Sequence, residues 1–327
     1  MINYDEESKL LKNYSFIDLF CGIGGFHLAL SSLGAKCVFA SDINVKAAEV
    51  YENNFHIRPK GDITKIKCKD IPKHDILCAG FPCQPFSISG KGAGFEDKVN
   101  GKLFYEIVRI VRFHKPKLII LENVKNLENH DNGNTLKVIK TKLDELGYNV
   151  FPRVLNASDF GIPQARKRIY IVAFKKKLKI KSFRFPEGTK NFTCLEDVLE
   201  SEVEKKYFID RKYEIADKEE KKRSNQLVRI GSIGPGRQGE RIYSIKGQAT
   251  TLSSQGGGPG GKTGIYLIKN KIRILCPREC ARLMGFPDNY KLASTDGECY
   301  KQFGNSVVVD VIQEIMCEAS KLLNKEC

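Results

Sequence analysis

The segment Gly80-Phe81-Pro82-Cys83-Gln84-Pro85-Phe86-Ser87 holds a cysteine between two prolines, just after the apolar run Asp75-Ile76-Leu77-Cys78-Ala79. The run reads as a buried strand, so Cys83 emerges at a strand's carboxyl end, where open α/β sheets place their chemistry. Pro82 fixes its own φ and restricts Phe81, which stiffens the chain ahead of the sulfur. A rigidly aimed thiol on a loop suits covalent catalysis. The competing reading is a buried structural cysteine; the prolines and the polar run that follows argue against burial.

A second constellation is Phe16-Ile17-Asp18-Leu19-Phe20-Cys21-Gly22-Ile23-Gly24-Gly25, a strand ending in a glycine-rich turn that opens a helix. Glycines there let a ligand approach the backbone, and the helix N-terminus offers free N–H groups. The spacing falls short of the full dinucleotide fingerprint. Asp42 follows the next strand, 20 residues after Gly22, where an acid could grip ribose hydroxyls. Asp62, after the following loop, could take an adenine amino group. A turn built only for tight strand–helix packing is the alternative. Glu122 follows the apolar run Leu118–Leu121, which puts it on the same sheet edge as Cys83.

These residues need a scaffold, and the pattern from Ser15 to Phe174 supplies one. Strands are expected at Phe16–Phe20, Cys37–Ser41, Ile76–Ala79, Leu118–Leu121 and Ile169–Phe174. Helices are expected between them at Phe26–Leu33 closed by Gly34, Val45–Asn54, Leu103–Phe113, and Thr135–Leu146 closed by Gly147. Such alternation predicts an α/β fold with a doubly wound, mostly parallel sheet. The lysine run Lys175–Lys181 leads out of it. Between Ser182 and Cys276 come a charged patch, Lys218–Arg223, and eleven glycines from Gly231 to Gly264, a composition that predicts a smaller β-rich domain. Ser306 to Leu323 reads as an amphipathic helix capped by Asn305 or Ser306. The divisions drawn are residues 1–185, 186–285 and 286–327, the last a hinge and helix returning to the first.

Bulk composition narrows the partners. The 327 residues carry 54 Lys and Arg against 39 Asp and Glu, a net +15 that suits a polyanion, nucleic acid first. Eleven cysteines, with no signal peptide and no apolar stretch able to cross a bilayer, point to free thiols in a reducing cytoplasm. Cys276 and Cys280 lack a second pair at zinc spacing, so no metal is expected.

The ordered blocks Asp18–Gly25, Gly80-Phe81-Pro82-Cys83-Gln84, Glu122-Asn123-Val124, Gln164-Ala165-Arg166-Lys167-Arg168 and Phe303-Gly304-Asn305-Ser306-Val307 resemble the DNA (cytosine-5)-methyltransferases over nearly the whole chain. The resemblance implies a class I methyltransferase sheet binding S-adenosylmethionine, a small target-recognition domain, and double-stranded DNA in the cleft between them. Cys83 would add to carbon 6 of cytosine, making carbon 5 nucleophilic toward a sulfonium methyl. Glu122 would favour protonation at ring nitrogen 3, which requires a raised carboxyl pKa. Arg166 and Arg168 would brace the base and its phosphate, although Arg-x-Arg alone suits a solvated edge strand. The implied cofactor contacts are Phe20, Gly22, Ile23, Gly24, Gly25, Asp42, Ile43, Asp62, Ile63, Pro82, Leu103 and Asn305. The chain has no tryptophan, so Ile43 stands where the family's indole would meet adenine.

Chemistry on a ring inside a duplex implies base flipping. The loop Gln84–Lys102 carries Gly90, Gly92, Gly94 and Gly101 and is expected to close over DNA. Ser87 would lie near the target strand, and Ser89 and Gln238 would enter the vacated space. Gln238-Gly239-Glu240-Arg241 and Pro277-Arg278-Glu279-Cys280-Ala281-Arg282 narrow the likeness to members that modify the first cytosine of GCGC. Gln238 and Arg241 would read bases, with Gln255, Gly256 and Gly257 beside them. Gln255 departs from the aromatic residue expected there. A companion restriction endonuclease and a monomer complete the expectations.

Three rival readings remain. Gly256 to Thr263 satisfies the phosphate-loop pattern letter for letter, but Ile265-Tyr266-Leu267-Ile268 after it is β-like, and a phosphate loop must open a helix. RNA methylation uses the same blocks, and a scaffold with a decayed site could keep the letters.

Overall fold

A computed structural model describes residues 9–82, 102–189, 192–216 and 222–325. Cys83, Ser87, Ser89 and the loop from Gln84 to Gly101 lie outside the described residues.

Six strands form the main sheet: β1 Ser15–Leu19, β2 Lys36–Ser41, β3 Ile76–Gly80, β4 Leu118–Val124, β5 Tyr148–Asn156 and β6 Lys167–Lys175. Their spatial order is β2-β1-β3-β4-β6-β5. β1 to β4 are parallel, and β6 runs antiparallel to both β4 and β5. Side chains alternate between two cores, as a strand's two-residue period requires. Phe16, Ile76, Cys78, Leu118, Ile120, Val172 and Phe174 face one core. Ile17, Leu77, Ala79, Ile119, Leu121, Ile171 and Ala173 face the other.

Helices cover both faces. α1 (Gly25–Ser32) and the C-terminal α7 (Val309–Leu323) pack with the first core, while α3 (Lys102–His114) and α4 (Asn134–Glu145) pack with the second. α2 (Val45–Phe55) begins with Asn44, whose side chain accepts from Lys46 and Ala47 N–H. The doubly wound sheet is the one expected. β5 was not among the expected strands. It contains Pro152, which cannot donate to a ladder, and it sits at the sheet edge where that omission is tolerated. The short connection from β5 also explains the reversal of β6, because only antiparallel neighbours can be joined without a long crossover.

The tail differs from its expected form. α6 (Asp296–Asn305) takes in Asn305 as its last residue, and α7 begins only at Val309, with Val308 at its cap and no side-chain cap bond. Asn305 and Ser306 therefore close α6, with Ser306 at its C-cap, rather than capping α7. The Arg166 guanidinium, described below, holds the carbonyls that shape this end.

A second sheet holds β7 Glu214–Ile215, β8 Arg229–Ser232, β9 Arg241–Ser244, β10 Ile265–Ile268 and β11 Lys271–Arg273, in the order β11-β10-β9-β8-β7. Ile230, Ile233, Ile242, Ile265 and Ile272 form its core. The stretch resembling a phosphate loop leads into β10, a strand. Its glycines serve backbone packing: a Cβ on Gly256 would lie 1.6 Å from the Gly261 carbonyl oxygen, and one on Gly261 would lie 2.0 Å from that of Gly257.

One buried ion pair ties this sheet to α5 (Pro277–Arg282). Arg273 and Glu279 are 2% and 0% exposed. Arg273 donates to both Glu279 oxygens, at 2.8 and 2.6 Å, and the same carboxylate accepts from Glu200 and Cys276 N–H. Four donors satisfy the buried charge, which is the condition for tolerating it. Cys280 is buried in the same helix and Cys276 precedes it as cap. Glu279→Leu leaves a stranded guanidinium and is expected to cost about 3–5 kcal/mol in urea unfolding, whereas the double replacement Glu279→Leu with Arg273→Met is expected to cost much less.

Candidate active site

A cavity of about 500 Å³ opens at the carboxyl ends of β1, β2, β3 and β4. Its wall begins with the turn after β1. Phe20 takes φ +55°, a left-handed conformation uncommon outside glycine, and Gly22 follows at +52°. The Gly22 N–H donates to Asp42 Oδ2 at 2.7 Å and the Asn44 N–H to Oδ1 at 2.7 Å. Asp42 thus braces the turn with one bond on each oxygen and keeps lone pairs for a ligand. Burial raises its carboxyl above the ordinary range. Asp62 caps a short helical turn through Thr64 N–H and Oγ1, bonds that hold its carboxyl low and ionised.

The glycines divide their duties. A Cβ on Gly22 meets nothing within 4 Å, whereas one on Gly24 would strike the Phe55 ring at 2.3 Å and one on Gly25 would strike Val307 at 2.6 Å. Gly24 and Gly25 are therefore required for close packing. Gly24 is absent from the cavity wall, unlike Phe20, Gly22, Ile23, Gly25, Asp42, Ile43, Asp62, Ile63, Pro82, Leu103 and Asn305, which the fold brings together there. Ile43 is 74% exposed on the rim.

Beneath the turn lies Asp18, fully buried, with no well-aligned hydrogen-bond partner on either carboxyl oxygen. Burial, then the charge of Asp42, pushes its pKa well up. Nearby His27 stacks on Phe55 and shares a 2.6 Å hydrogen bond with the Tyr51 hydroxyl; burial lowers its pKa to about 4, so it is neutral.

The other wall carries Glu122, near the end of β4 and in register with Gly80 of β3. It is 8% exposed. Burial raises its carboxyl, as the sequence reading expected, while Arg168 and Arg166 oppose the rise. Arg168 Nε stands 3.3 Å from Glu122 Oε1, off the hydrogen-bond direction, so this oxygen has no hydrogen-bond partner. Asn123 was passed over as a site residue, yet its Nδ2 donates to the Phe81 carbonyl at 2.8 Å and so anchors the backbone entering Pro82. Its place beside Glu122 in one short block was the available signal.

Arg166 is buried and lines the cavity, but its guanidinium is engaged. It donates to the Leu252, Gly304 and Ser306 carbonyls at 3.1, 3.0 and 2.7 Å. Burial lowers its pKa to about 9, still high enough for charge at neutral pH. Gln164 works alongside, donating to the Leu283 carbonyl and accepting from Leu252 N–H. The block read as a pair of substrate-bracing arginines is also the splice between the two sheets.

Gln238, Arg241, Gln255, Gly256 and Gly257 fall elsewhere, together at one end of the small sheet. Gln238 opens a short helical turn that leads into β9 at Arg241. Gly260 N–H donates to the Gly239 carbonyl, and a Cβ on Gly239 would lie 2.3 Å from the Gly257 oxygen. Gln238, Arg241, Gln255 and Gly257 are exposed. Among the described residues, no cluster of three or more His, Cys, Asp or Glu could hold a metal.

The model of the C-5 cytosine-specific DNA methylases matches residues 14–321. The chain belongs to that family. Type II methyltransferase M.HhaI of Haemophilus parahaemolyticus is 52% identical over 97% of this chain and 98% of its own length. M.HpaII of Haemophilus parainfluenzae is 41% identical over 98% and 92%. A mutant DNMT2 of Spodoptera frugiperda shares the fold at a TM-score of 0.72, with 24% identity and coverage of 95% and 99%. As a C-5 methylase the chain is a DNA (cytosine-5)-methyltransferase, and the methyl donor of the family is S-adenosylmethionine. The donor fits this cavity: free N–H groups at α1, the Asp42 carboxylate and apolar Ile43 and Ile63 match its charged, hydroxylated and aromatic parts.

Two outcomes test this C-5 methylase site. A carboxyl whose folded pKa is raised binds more protons folded than unfolded, so its contribution is present at low pH and lost as pH rises. Asp18→Asn should therefore gain stability relative to the unaltered enzyme as pH rises above about 4, the range of an unfolded carboxyl, in urea titrations, and parallel pH profiles would refute it. Arg166→Lys keeps the charge but not the fork, and loss of two carbonyl bonds should cost about 3 kcal/mol of unfolding free energy.

Proposed function

We propose that the enzyme methylates carbon 5 of a cytosine flipped out of duplex DNA, at one short sequence, within a type II restriction–modification system of the bacterial cytoplasm. GCGC is the target we favour, from the 52% identity with M.HhaI. Acting as a monomer, the chain would divide into a catalytic part (1–185), a recognition part (186–285) and a returning helix (286–327).

The observation that carries this reading is Glu122. A buried, partly unpartnered carboxyl with a raised pKa lines the same cavity as Pro82, the residue that delivers Cys83. In the proposed reaction the Cys83 thiolate bonds to carbon 6, and Glu122 supplies the proton at nitrogen 3 as electrons move into the ring. S-adenosylmethionine supplies the methyl group to carbon 5. Loss of the carbon 5 proton to a base, expulsion of the thiolate and return of the nitrogen 3 proton to the Glu122 carboxylate then restore the neutral aromatic ring and the enzyme. Arg168 steadies the Glu122 carboxylate left after proton transfer, whereas Arg166 acts chiefly by holding the cleft together. The exposed Gln238, Arg241 and Gln255–Gly257 group supports a DNA-reading edge, since arginine and glutamine present paired contacts to base edges. The net charge of +15 favours the phosphate backbone.

Expression in a host free of cytosine methylation, followed by mapping of 5-methylcytosine, tests the proposal. Methylation confined to one motif is expected. Cys83→Ser should abolish it and Glu122→Gln should slow it about a hundredfold or more. Unmodified DNA from folded, cofactor-binding protein would instead point to RNA or to a silent scaffold.

A further inference from the structure

Gln302, like Ser41 in the same wall, is a buried polar side chain of the cavity that the reaction above leaves unused, and of the two it carries the amide donor. It lines the wall from α6, is 7% exposed, and its Nε2 is buried with no hydrogen-bond partner. An unpaired buried amide is costly, and native proteins rarely keep one without a ligand or water to answer it. Rotation about its terminal torsion brings the NH2 group to bear on a ligand atom.

Its position identifies which atom. The turn that follows Gln302 packs directly on the start of α1, where a Cβ on Gly25 would meet Val307 Cγ2 at 2.6 Å and Ser306 Oγ at 3.1 Å. The same helix end has no side-chain cap and no acid in its first turn. Its positive end is thus unanswered from within the chain, and Ile23, Gly25 and Phe26 face the cavity there. A donor amide lining the same cavity as a positive helix end favours an anion between them. S-adenosylmethionine carries one anionic group, the carboxylate of its methionyl part. Lys301 also lines the wall but is exposed, where solvent screens its charge.

We propose that Gln302 is a positioning residue for the cofactor, its side-chain amide donating to the methionyl carboxylate beside the N-terminus of α1. By fixing that end, Gln302 sets how far the sulfonium methyl projects toward the Glu122 side of the cavity. The inference rests on the S-adenosylmethionine reading of the site.

The test compares ligands that differ in the carboxylate. Equilibrium binding to the full chain is measured for S-adenosylmethionine, S-adenosylhomocysteine and 5′-methylthioadenosine, which keeps the nucleoside and thioether but lacks the amino-acid group. Gln302→Glu, close in shape, replaces the donor with a like charge. It should weaken the first two ligands by roughly tenfold or more, and 5′-methylthioadenosine by less than about twofold. Gln302→Leu should show the same selectivity to a smaller extent. Melting of each ligand-free variant confirms that the fold is intact. Equal weakening of all three ligands, or a loss of ligand-free stability with no selectivity, would assign Gln302 a structural role against Glu298 one turn earlier and overturn the proposal. Unchanged binding would also overturn it. If the unaltered chain binds none of the three, the cofactor reading itself fails, a result distinct from loss in the variants alone.

Discussion

The Arg166 guanidinium gathers three carbonyls from two segments that are far apart in the chain, Leu252 in one and Gly304 with Ser306 in the other. Taking this charge out of water is expensive, and burial accordingly lowers its pKa to about 9. Three charge-assisted hydrogen bonds offset the cost and fix geometry at the same time. The segment at Leu252, the turn around Asn305 and the end of the main sheet meet at this one group. A Cβ on Gly304 would lie 2.4 Å from the Ser254 nitrogen, so the contact at this junction is backbone against backbone. The segments that carry the two sheets are joined here by a contact that is both charged and tight.

The cofactor turn obeys a related constraint from below. Phe55 and Tyr51 crowd Gly24, and Val307 crowds Gly25, so the turn is pressed upward and its N–H groups face the cavity. Asp42 draws in the Gly22 and Asn44 amides from the side. Deeper still, Asp18, Tyr51 and Cys37 form a polar pocket whose groups burial drives toward their neutral forms, Cys37 to about 12. Neutrality beneath the turn leaves the positive end of α1 as the dominant field on its upper side. Ligand charge is then chosen by the helix and by Gln302 rather than by the acids underneath.

The surroundings of Glu122 suit the proton donor proposed for it. Desolvation raises its pKa, and the two nearby arginines limit the rise. A carboxyl balanced in this way can carry a proton and give it up within one turnover. Asn123, the next residue, fixes the Phe81 carbonyl, so the carboxyl ends of β4 and β3 share a single short anchor.

Local signals determined much of this protein. The β1 to β4 runs, four helices, two of them with glycine stops, the glycine turn and the cysteine between prolines are written in spacing and in the conformational limits of Gly and Pro. The strand following the glycine-rich stretch was equally legible from Ile265 to Ile268, and it disposes of the phosphate-loop reading. Tertiary structure alone decided the rest. β5 was hidden by Pro152, which only an edge position excuses. The helix expected from Ser306 starts at Val309 because Arg166 claims the Gly304 and Ser306 carbonyls. Gly24 carries a packing constraint besides the ligand contact expected of it, and Gln302, which no sequence pattern singled out, is an unpaired donor in the cavity wall. Sequence patterns report what each residue prefers over a few neighbours. Which groups are left buried, paired or unpaired depends on segments hundreds of positions away, and only the fold brings those together.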